Sequence, residues 1–268
     1  MDDHAGGPVR AGERLIVALD VESIDVATRL VAQLDNVSFF KVGWRLLMAG
    51  LRVDGLGKLL DDLSRDAKQV FIDLKVPDIG NTVASVVHDL RGSNVKFLTL
   101  HQETSAEHVR LAVEARGDSS TPKLLRVPFL SSQDAYDLAD IDPVAAADNL
   151  SFDGWLLRRA KVALDAGCDG LIASGKAIKL FRDQWPNETG VVIVSPGIRP
   201  PGSSTDDHKR HTTPRQAIEW GADYLVVGRP IIHATDPRQA AQNIIEEIGE
   251  AVHPSGGLPG VVDSRGRA

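Results

Sequence analysis

The chain has a single cysteine, Cys168, among its 268 residues. One thiol excludes an intramolecular disulfide framework and any zinc site built from several cysteines, and it is typical of a reducing compartment. Aromatic residues make up only 5% of the chain. We therefore expect a core built from Val, Ile, Leu and Ala, as in buried parallel sheets.

Long apolar runs and an excess of positive charge are also missing. No stretch approaches the ~20 apolar residues that span a bilayer, and the first residues, MDDHAGGPVR, lack the apolar segment of a secretory signal. The formal net charge of −7 argues against binding of nucleic acid through bulk positive charge. These absences predict a soluble cytoplasmic protein with neither a membrane nor a nucleic-acid partner.

Hydrophobic patterning predicts eight buried strands with helices between them. Each strand is a short run rich in aliphatic side chains, and the runs cover residues 15–19, 38–42, 70–74, 95–100, 124–130, 170–173, 191–194 and 224–227. Strands that alternate with helices pair in parallel, and eight such units in about 250 residues favour a closed (β/α)8 TIM barrel. An open doubly wound sheet is the alternative, but no glycine-rich dinucleotide motif follows the first strand.

The same patterning predicts one domain over residues 14–252. Residues 1–13 and 253–268 are polar and contain Gly and Pro, so we expect flexible tails there. Residues 140–153 look like an insertion before the sixth strand. Residues 196–213 form a long polar loop after the seventh strand, and loops of that length are usually lids or disordered segments.

Charged residues lie at the ends of the first three predicted strands. Asp20 follows the first strand, Lys41 lies in the second, Asp73 and Lys75 flank the end of the third, and Asp78 lies in the next loop. Residues two apart on a strand point to the same side, so Asp73 and Lys75 should meet. TIM barrels carry their chemistry at this face. Because so many charges are seldom buried for stability alone, the cluster favours a catalytic site over a plain ion-pair network.

The loops after the seventh and eighth strands predict a phosphate site. The segment SPGIR, residues 195–199, leaves strand seven, and GRP, residues 228–230, leaves strand eight. These barrels frequently bind phosphate between those two loops, where glycine N–H groups approach the anion and an arginine binds it. A tight turn before a helix would explain GRP alone, but its coincidence with Arg199 favours a phosphorylated ligand.

Five sequence motifs resemble those of the orotidine 5′-phosphate decarboxylase family. DLKVPDIGNT at residues 73–82 is similar to the family signature D-x-K-x-x-D-I-x-N-T. The other four follow in the family's order: ALD ending at Asp20, FKVG around Lys41, VSPGIRP around Arg199 and GADYLVVGRPI around Arg229. The resemblance covers about residues 14–250 and implies a barrel enzyme that converts orotidine 5′-monophosphate to uridine 5′-monophosphate. That reaction is the last step of de novo pyrimidine synthesis and would need no cofactor and no metal.

The resemblance implies catalytic roles for four charged residues. Lys75 would protonate C6 of the pyrimidine as carbon dioxide leaves, and Asp73 would lie beside the substrate carboxylate. Lys41 and Asp78 would complete a network of alternating charges around the developing carbanion. The family also forms a homodimer in which three residues would reach into the partner's site, here Asp78, Ile79 and Thr82.

The resemblance also implies how the substrate is bound. Asp20 and Lys41 look like ribose contacts, and Ser131, in place of the family's usual Thr, would contact the pyrimidine. The substrate-binding residues after strands seven and eight would be Pro196, Arg199, Gly228 and Arg229. The last of these, with the backbone of the glycine before it, would hold the 5′-phosphate.

The long loop after strand seven would close over the phosphate as a lid. The family usually has a Gln there that bridges phosphate and pyrimidine, and His208 holds that place in this chain. Neutral imidazole donates one hydrogen bond and charged imidazole two, so we expect His208 to contact the phosphate more strongly below about pH 6.5. The alternative is a solvent-exposed His208 with no bridge.

Two other functions stay open. A magnesium-dependent phosphosugar decarboxylase or aldolase of the same barrel group shares D-x-K-x-x-D, but it carries a metal-binding Glu where this chain has Lys41. A non-catalytic nucleotide-binding protein would have lost the pair of Asp73 and Lys75, and both are present. The eight histidines show no metal-ligand spacing, so we expect no metal site.

Overall fold

A computed structural model describes residues 9–51, 55–130, 137–147, 150–201 and 212–253. Ser131 and His208, two of the expected site residues, lie outside the described residues. The strands pair in parallel, each with the next along the chain, and the last closes on the first. They are β1 (Leu15–Ala18), β2 (Phe39–Gly43), β3 (Gln69–Val76), β4 (Val95–Leu100), β5 (Lys123–Arg126), β6 (Gly170–Ile172), β7 (Val192–Ser195) and β8 (Tyr224–Val227). The predicted TIM barrel is confirmed.

Helices connect the strands, because a parallel crossover must return the chain to the same end of the sheet. In chain order they are α1 (Ala11–Arg14), α2 (Ile24–Gln33), α3 (Trp44–Gly50), α4 (Leu56–Arg65), α5 (Gly80–Asp89), α6 (Ala106–Arg116), α7 (Leu138–Ile141), α8 (Pro143–Ala147), α9 (Phe152–Asp165), α10 (Ala177–Gln184), α11 (Pro214–Glu219), α12 (Arg229–Ile232) and α13 (Pro237–Val252). Side chains cap several N-termini; Ser23, for example, accepts a hydrogen bond from the N–H of Val26 at 3.3 Å.

Two strands, β3 and β5, differ in length from the prediction by more than one residue. β3 continues to Val76, so that Lys75 belongs to the strand, like Asp73, rather than to the loop after it. β5 ends at Arg126 instead of residue 130. Pro128 has no N–H for the sheet ladder, which explains the early end.

The core has an inner and an outer layer. The outer layer, between strands and helices, is aliphatic for the most part, as the composition predicts. The inside of the barrel differs, because rings fill much of it: Phe39, Phe71, Phe97 and Tyr224. The centroids of Phe97 and Tyr224 lie 5.0 Å apart, edge to face. Four of the 13 aromatic residues therefore fill the inside of the barrel, where a small number of large side chains is enough.

The described residues also refine the two ends of the predicted domain. α1 begins within the stretch expected to be a flexible tail, and Arg14 at its end donates a hydrogen bond to the carbonyl oxygen of Asp223 at 3.1 Å. α13 ends at Val252, and the residues after 253 lie outside the described ranges. Within those ranges, none of the helices is long and apolar enough to cross a membrane.

Gly170 at the start of β6 has no room for a side chain, since a Cβ there would overlap the backbone carbonyl oxygen of Val192 on β7. We predict that Gly170→Ala lowers the free energy of unfolding by about 3 kcal/mol, measured by urea denaturation. Gly57→Ala is the matched control. A Cβ at this helical position meets nothing, so the free energy of unfolding should rise by about 0.5–1 kcal/mol. Equal stability of Gly170→Ala and wild type would contradict this packing.

Candidate active site

A cavity of about 550 Å³ opens at the carboxyl ends of the strands. The expected site residues that line it after β1 and on β2 and β3 are Asp20, Lys41, Asp73 and Lys75. Those that line it after β7 and β8 are Pro196, Arg199, Gly228 and Arg229. The barrel thus brings both predicted groups, which are more than 100 residues apart in the sequence, into one cavity.

The acidic and basic side chains form a continuous chain of ion pairs. Lys75 Nζ lies 2.8 Å from Asp73 Oδ1, and the other carboxylate oxygen of Asp73 lies 3.4 Å from Lys41 Nζ. Lys41 Nζ also donates a hydrogen bond to Asp20 Oδ1 at 3.0 Å. Lys41 is 7% exposed, so its ammonium has little water and depends on these carboxylates.

The ion pairs keep Lys41 and Asp73 in their charged forms. Burial alone would lower the pKa of Lys41, but the negative charges of Asp73 and Asp20 outweigh it, so the pKa is raised. Burial alone would raise the pKa of Asp73, but Lys41 and Lys75 outweigh it, and the pKa lies below its ordinary value. The cavity therefore presents fixed charges of both signs close together, which suits stabilisation of a developing charge.

The backbone at Lys75 departs from regular strand geometry. Its φ is +47°, in the left-handed region that side chains disfavour. Its N–H donates a hydrogen bond to Thr99 Oγ1 at 2.9 Å, and the same hydroxyl donates to Asp73 Oδ1 at 3.0 Å. The sequence analysis missed Thr99. Its only signal is a polar residue next to the end of a largely apolar strand, β4.

Gly43 at the end of β2 is the second neighbour that the sequence analysis left without a role, although it belongs to the FKVG motif. A Cβ at this position would lie 3.1 Å from Lys41 Nζ and 3.2 Å from Asp20 Oδ1. A side chain at position 43 would therefore crowd Lys41 Nζ and Asp20 Oδ1, which must approach each other to form their ion pair. The missing side chain at Gly43 lets the ion pair of Lys41 and Asp20 close.

The other side of the cavity carries two arginines. Arg199 is buried, and its Nη1 donates a hydrogen bond to the carbonyl oxygen of Ile198 at 2.8 Å. Its backbone N–H donates to the carbonyl oxygen of Thr212 at 2.9 Å, which joins the two ends of the long polar loop. Gly228 is the N-cap of α12, and Arg229 is its first residue. Two guanidinium groups and a helix start at one cavity are a suitable arrangement for an anion.

Asp78, Ile79 and Thr82 do not line the cavity of their own chain. All three are exposed at the start of α5. Asp78 Oδ1 accepts a hydrogen bond from the N–H of Ile79 at 2.7 Å, and the Ile79 side chain is 66% exposed. A single chain therefore leaves them outside the charged cluster that its own Asp73 and Lys75 form.

Three further side chains lie outside the charged cluster. Trp44 is 49% exposed at the start of α3, and its Nε1 donates a hydrogen bond to the carbonyl oxygen of Leu74. His101 does not line the cavity; its Nδ1 accepts a hydrogen bond from the N–H of Glu103. Cys168 is buried, and burial raises the pKa of its thiol to about 12, so it is no nucleophile.

A protein-family model described as "Orotidine 5′-phosphate decarboxylase / HUMPS family" matches residues 13–244. The chain belongs to this family. At its cavity, the motifs that contain Asp20, Lys41 and Asp73 are joined by ion pairs, and the motif around Arg229 lines the same cavity. The VSPGIRP segment lines the same cavity through Pro196 and Arg199.

Named relatives agree with the family. An orotidine 5′-phosphate decarboxylase of Rhodopseudomonas palustris (strain BisB5) is 43% identical over 245 residues, covering 89% of this chain and 96% of the relative. One from Afipia carboxidovorans is 44% identical and covers 91% and 98%. The crystal structure of an orotidine 5′-phosphate decarboxylase from Lactobacillus acidophilus superposes with a TM-score of 0.71 at 30% identity, covering 87% of this chain and 98% of that one.

The lowered pKa of Asp73 predicts how stability depends on pH. Its ionised form stabilises the fold fully above an unfolded-state pKa of about 3.9, and this contribution is lost as pH falls through the lower folded-state pKa. We expect the unfolding temperature of wild type to fall steeply as the pH drops below about 4, and that of Asp73→Asn to fall less steeply. Asp61→Asn, an exposed carboxylate on α4, should keep the wild-type slope. Identical slopes for Asp73→Asn and wild type would refute the argument.

Proposed function

We propose that this chain decarboxylates orotidine 5′-monophosphate to uridine 5′-monophosphate, the last step of de novo pyrimidine synthesis. The observation that carries the proposal is the chain of ion pairs through Lys41, Asp73 and Lys75 at the cavity. The proposal is also supported by relatives named orotidine 5′-phosphate decarboxylase, which are 43–44% identical over most of their length. The cavity has the size that a small ligand needs.

In the proposed reaction, Lys75 supplies the proton. The bond between C6 and the carboxylate breaks, its electron pair stays on C6, and a proton from the Lys75 ammonium forms the new C6–H bond. Asp73, 2.8 Å from that ammonium, would lie beside the substrate carboxylate and disfavour it before carbon dioxide leaves. Lys41 holds the second oxygen of Asp73 and so keeps the carboxylate in place. The charges are positioned before substrate arrives, so little reorganisation is needed at the moment of reaction.

The substrate would lie across the cavity between its two groups of residues. Asp20 and Lys41 would contact the ribose hydroxyls. Arg229, with the Gly228 backbone, would hold the 5′-phosphate, with Arg199 and Pro196 nearby. Ser131 would contact the pyrimidine, which is supported by the position of Leu130, its neighbour, on the cavity wall.

The long loop after β7 would act as the lid, with His208 at the phosphate. The two ends of the loop are joined through Arg199 and Thr212, and Arg199 lines the cavity, so the loop begins and ends beside the proposed phosphate position. Binding energy from the phosphate, far from C6, can then contribute to the chemical step through closure.

We propose a homodimer in which Asp78, Ile79 and Thr82 complete the site of the partner. Two observations support this. The three residues are exposed and lie outside their own cavity. Large apolar side chains are also exposed on α3 and directly after it, at Trp44, Met48 and Leu51. A partner that covered these side chains would remove apolar surface from water, which favours association. The cytoplasmic location expected from the sequence stays a prediction.

A metal-dependent phosphosugar reaction is disfavoured by the position of Lys41. Its ammonium lies between the carboxylates of Asp20 and Asp73, where a divalent cation would meet like charge. Among the residues that the structure describes, no cluster of three or more His, Cys, Asp or Glu side chains could hold a metal ion. We therefore propose that the reaction depends on the lysines and not on a metal.

The direct test mixes purified protein with orotidine 5′-monophosphate and follows the ultraviolet absorbance. We expect turnover that a chelator does not reduce, and a loss of at least about 100-fold in Lys75→Ala, which lacks the proton donor. Lys161→Ala is the control, because that lysine is exposed and pairs with Asp165 on α9. No turnover by wild type, or full activity in Lys75→Ala, would overturn the proposed function.

The shared site is tested by combining two inactive variants. In a mixed dimer of Lys75→Ala and Asp78→Asn chains, one site would have both residues intact. Random assortment makes half the dimers mixed with one of two sites intact, so the co-expressed pair should recover about a quarter of wild-type activity. Each variant alone should stay nearly inactive. A pair no more active than its members would show that Asp78 acts within its own chain or not at all.

A further inference from the structure

Thr99 lies among the charged groups of the site although it carries no charge. It is on β4 with no exposed surface, between two buried leucines. Its hydroxyl donates a hydrogen bond to Asp73 Oδ1 at 3.0 Å and accepts one from the N–H of Lys75 at 2.9 Å. One side chain therefore links a carboxylate oxygen of Asp73 to the backbone of Lys75, whose ammonium contacts the same oxygen.

The strand ladder explains why Lys75 needs such a partner. Ile72 pairs with Leu98 and Val76 pairs with Leu100, so three residues of β3 face only Thr99 on β4. Such an irregularity removes backbone groups from the ladder and re-aims side chains. Lys75 adopts a φ of +47° within it, a conformation that persists only where its surroundings hold it. The Thr99 hydroxyl supplies the acceptor that the ladder no longer provides.

We propose that Thr99 is a positioning residue for decarboxylation. By binding the Lys75 backbone and the Asp73 carboxylate with one hydroxyl, it fixes the distance between the proton donor and the neighbouring negative charge. It touches no part of the proposed substrate position and acts through Lys75 and Asp73 alone. This inference rests on the proposed function of those two residues.

Loss of the Thr99 hydroxyl should change the positions of Asp73 and Lys75 more than their charges. Asp73 is faced by Lys75 from its own strand, by Lys41 from β2 and by Thr99 from β4, and Asp20 lies behind Lys41. Burial raises the pKa of Asp73 and the two ammoniums lower it by more. Both ammoniums remain when Thr99 is replaced, so the carboxylate stays ionised at neutral pH. Displacement of a reacting group by about 1 Å can cost on the order of 100-fold in rate.

The test compares Thr99→Val, which keeps the shape and loses the hydroxyl, with Thr99→Ser, which keeps the hydroxyl. Thr28→Val is the control, because it removes a hydroxyl hydrogen-bonded to the Ile24 carbonyl oxygen on α2, outside the site. Three quantities are measured for each protein. They are the exchange rate of the Lys75 amide hydrogen by NMR, the Kd for uridine 5′-monophosphate by calorimetry, and kcat for orotidine 5′-monophosphate.

We expect the Lys75 amide of Thr99→Val to exchange at least about 10-fold faster than in wild type. Its kcat should fall by about 10- to 100-fold, while the Kd for uridine 5′-monophosphate stays within about threefold. Thr99→Ser and Thr28→Val should match wild type in all three quantities. If Thr99→Val does not fold, Thr99→Ala against Thr99→Ser makes the same comparison.

Three results would overturn the inference: unchanged exchange at Lys75 in Thr99→Val, faster exchange with unchanged kcat, or equal losses in the valine and serine variants. A wild-type protein without turnover would instead overturn the proposed function. The exchange measurement does not depend on turnover, so it would still decide whether Thr99 holds the Lys75 backbone.

Discussion

The Asp73 carboxylate is placed where burial disfavours its charge, and two ammoniums keep it ionised. Lys75 and Lys41 each contact one of its oxygens, and Lys41 in turn needs Asp20 because it is itself buried. Removal of any of these residues leaves an uncompensated charge. The resulting loss of stability is larger than the stabilisation that the intact ion pair provides. The surrounding structure follows from this requirement. Gly43 has no side chain because one would press on Lys41 and Asp20, and β4 supplies a hydroxyl where the rest of the strand is largely apolar.

The barrel meets this requirement by its register. Parallel strands carry their carboxyl ends to the same face, so residues at the ends of β1, β2 and β3 become neighbours without any loop having to hold them. Rigid strands position charges more narrowly than loops do. Among the strand residues that the structure describes, only Lys75 has a left-handed backbone. It lies where backbone strain is typically found, beside groups proposed to react.

The two ends of the cavity have different proposed roles. The charged cluster would act on the pyrimidine, and the arginines after β7 and β8 would bind the phosphate. The formal net charge of −7 does not indicate the local charge at either end of the cavity, because it describes mainly the surface. The basic groups at the cavity include Lys41, Lys75, Arg199 and Arg229, and Arg45 lines it as well. They suit one small anion and would be invisible in any average over the sequence.

The sequence by itself determined the alternation of strands and helices, and hence the barrel, because a hydrophobic pattern depends only on local periodicity. It also placed Asp20, Lys41, Asp73 and Lys75 at strand ends, where period-2 geometry and the family motifs agree. Only the tertiary structure decided that Thr99 joins two of these residues, since a contact 24 residues away along the chain depends on the register between β3 and β4. It also left Asp78 outside its own cavity, because the exposure of a loop depends on what packs against it and not on its own residues.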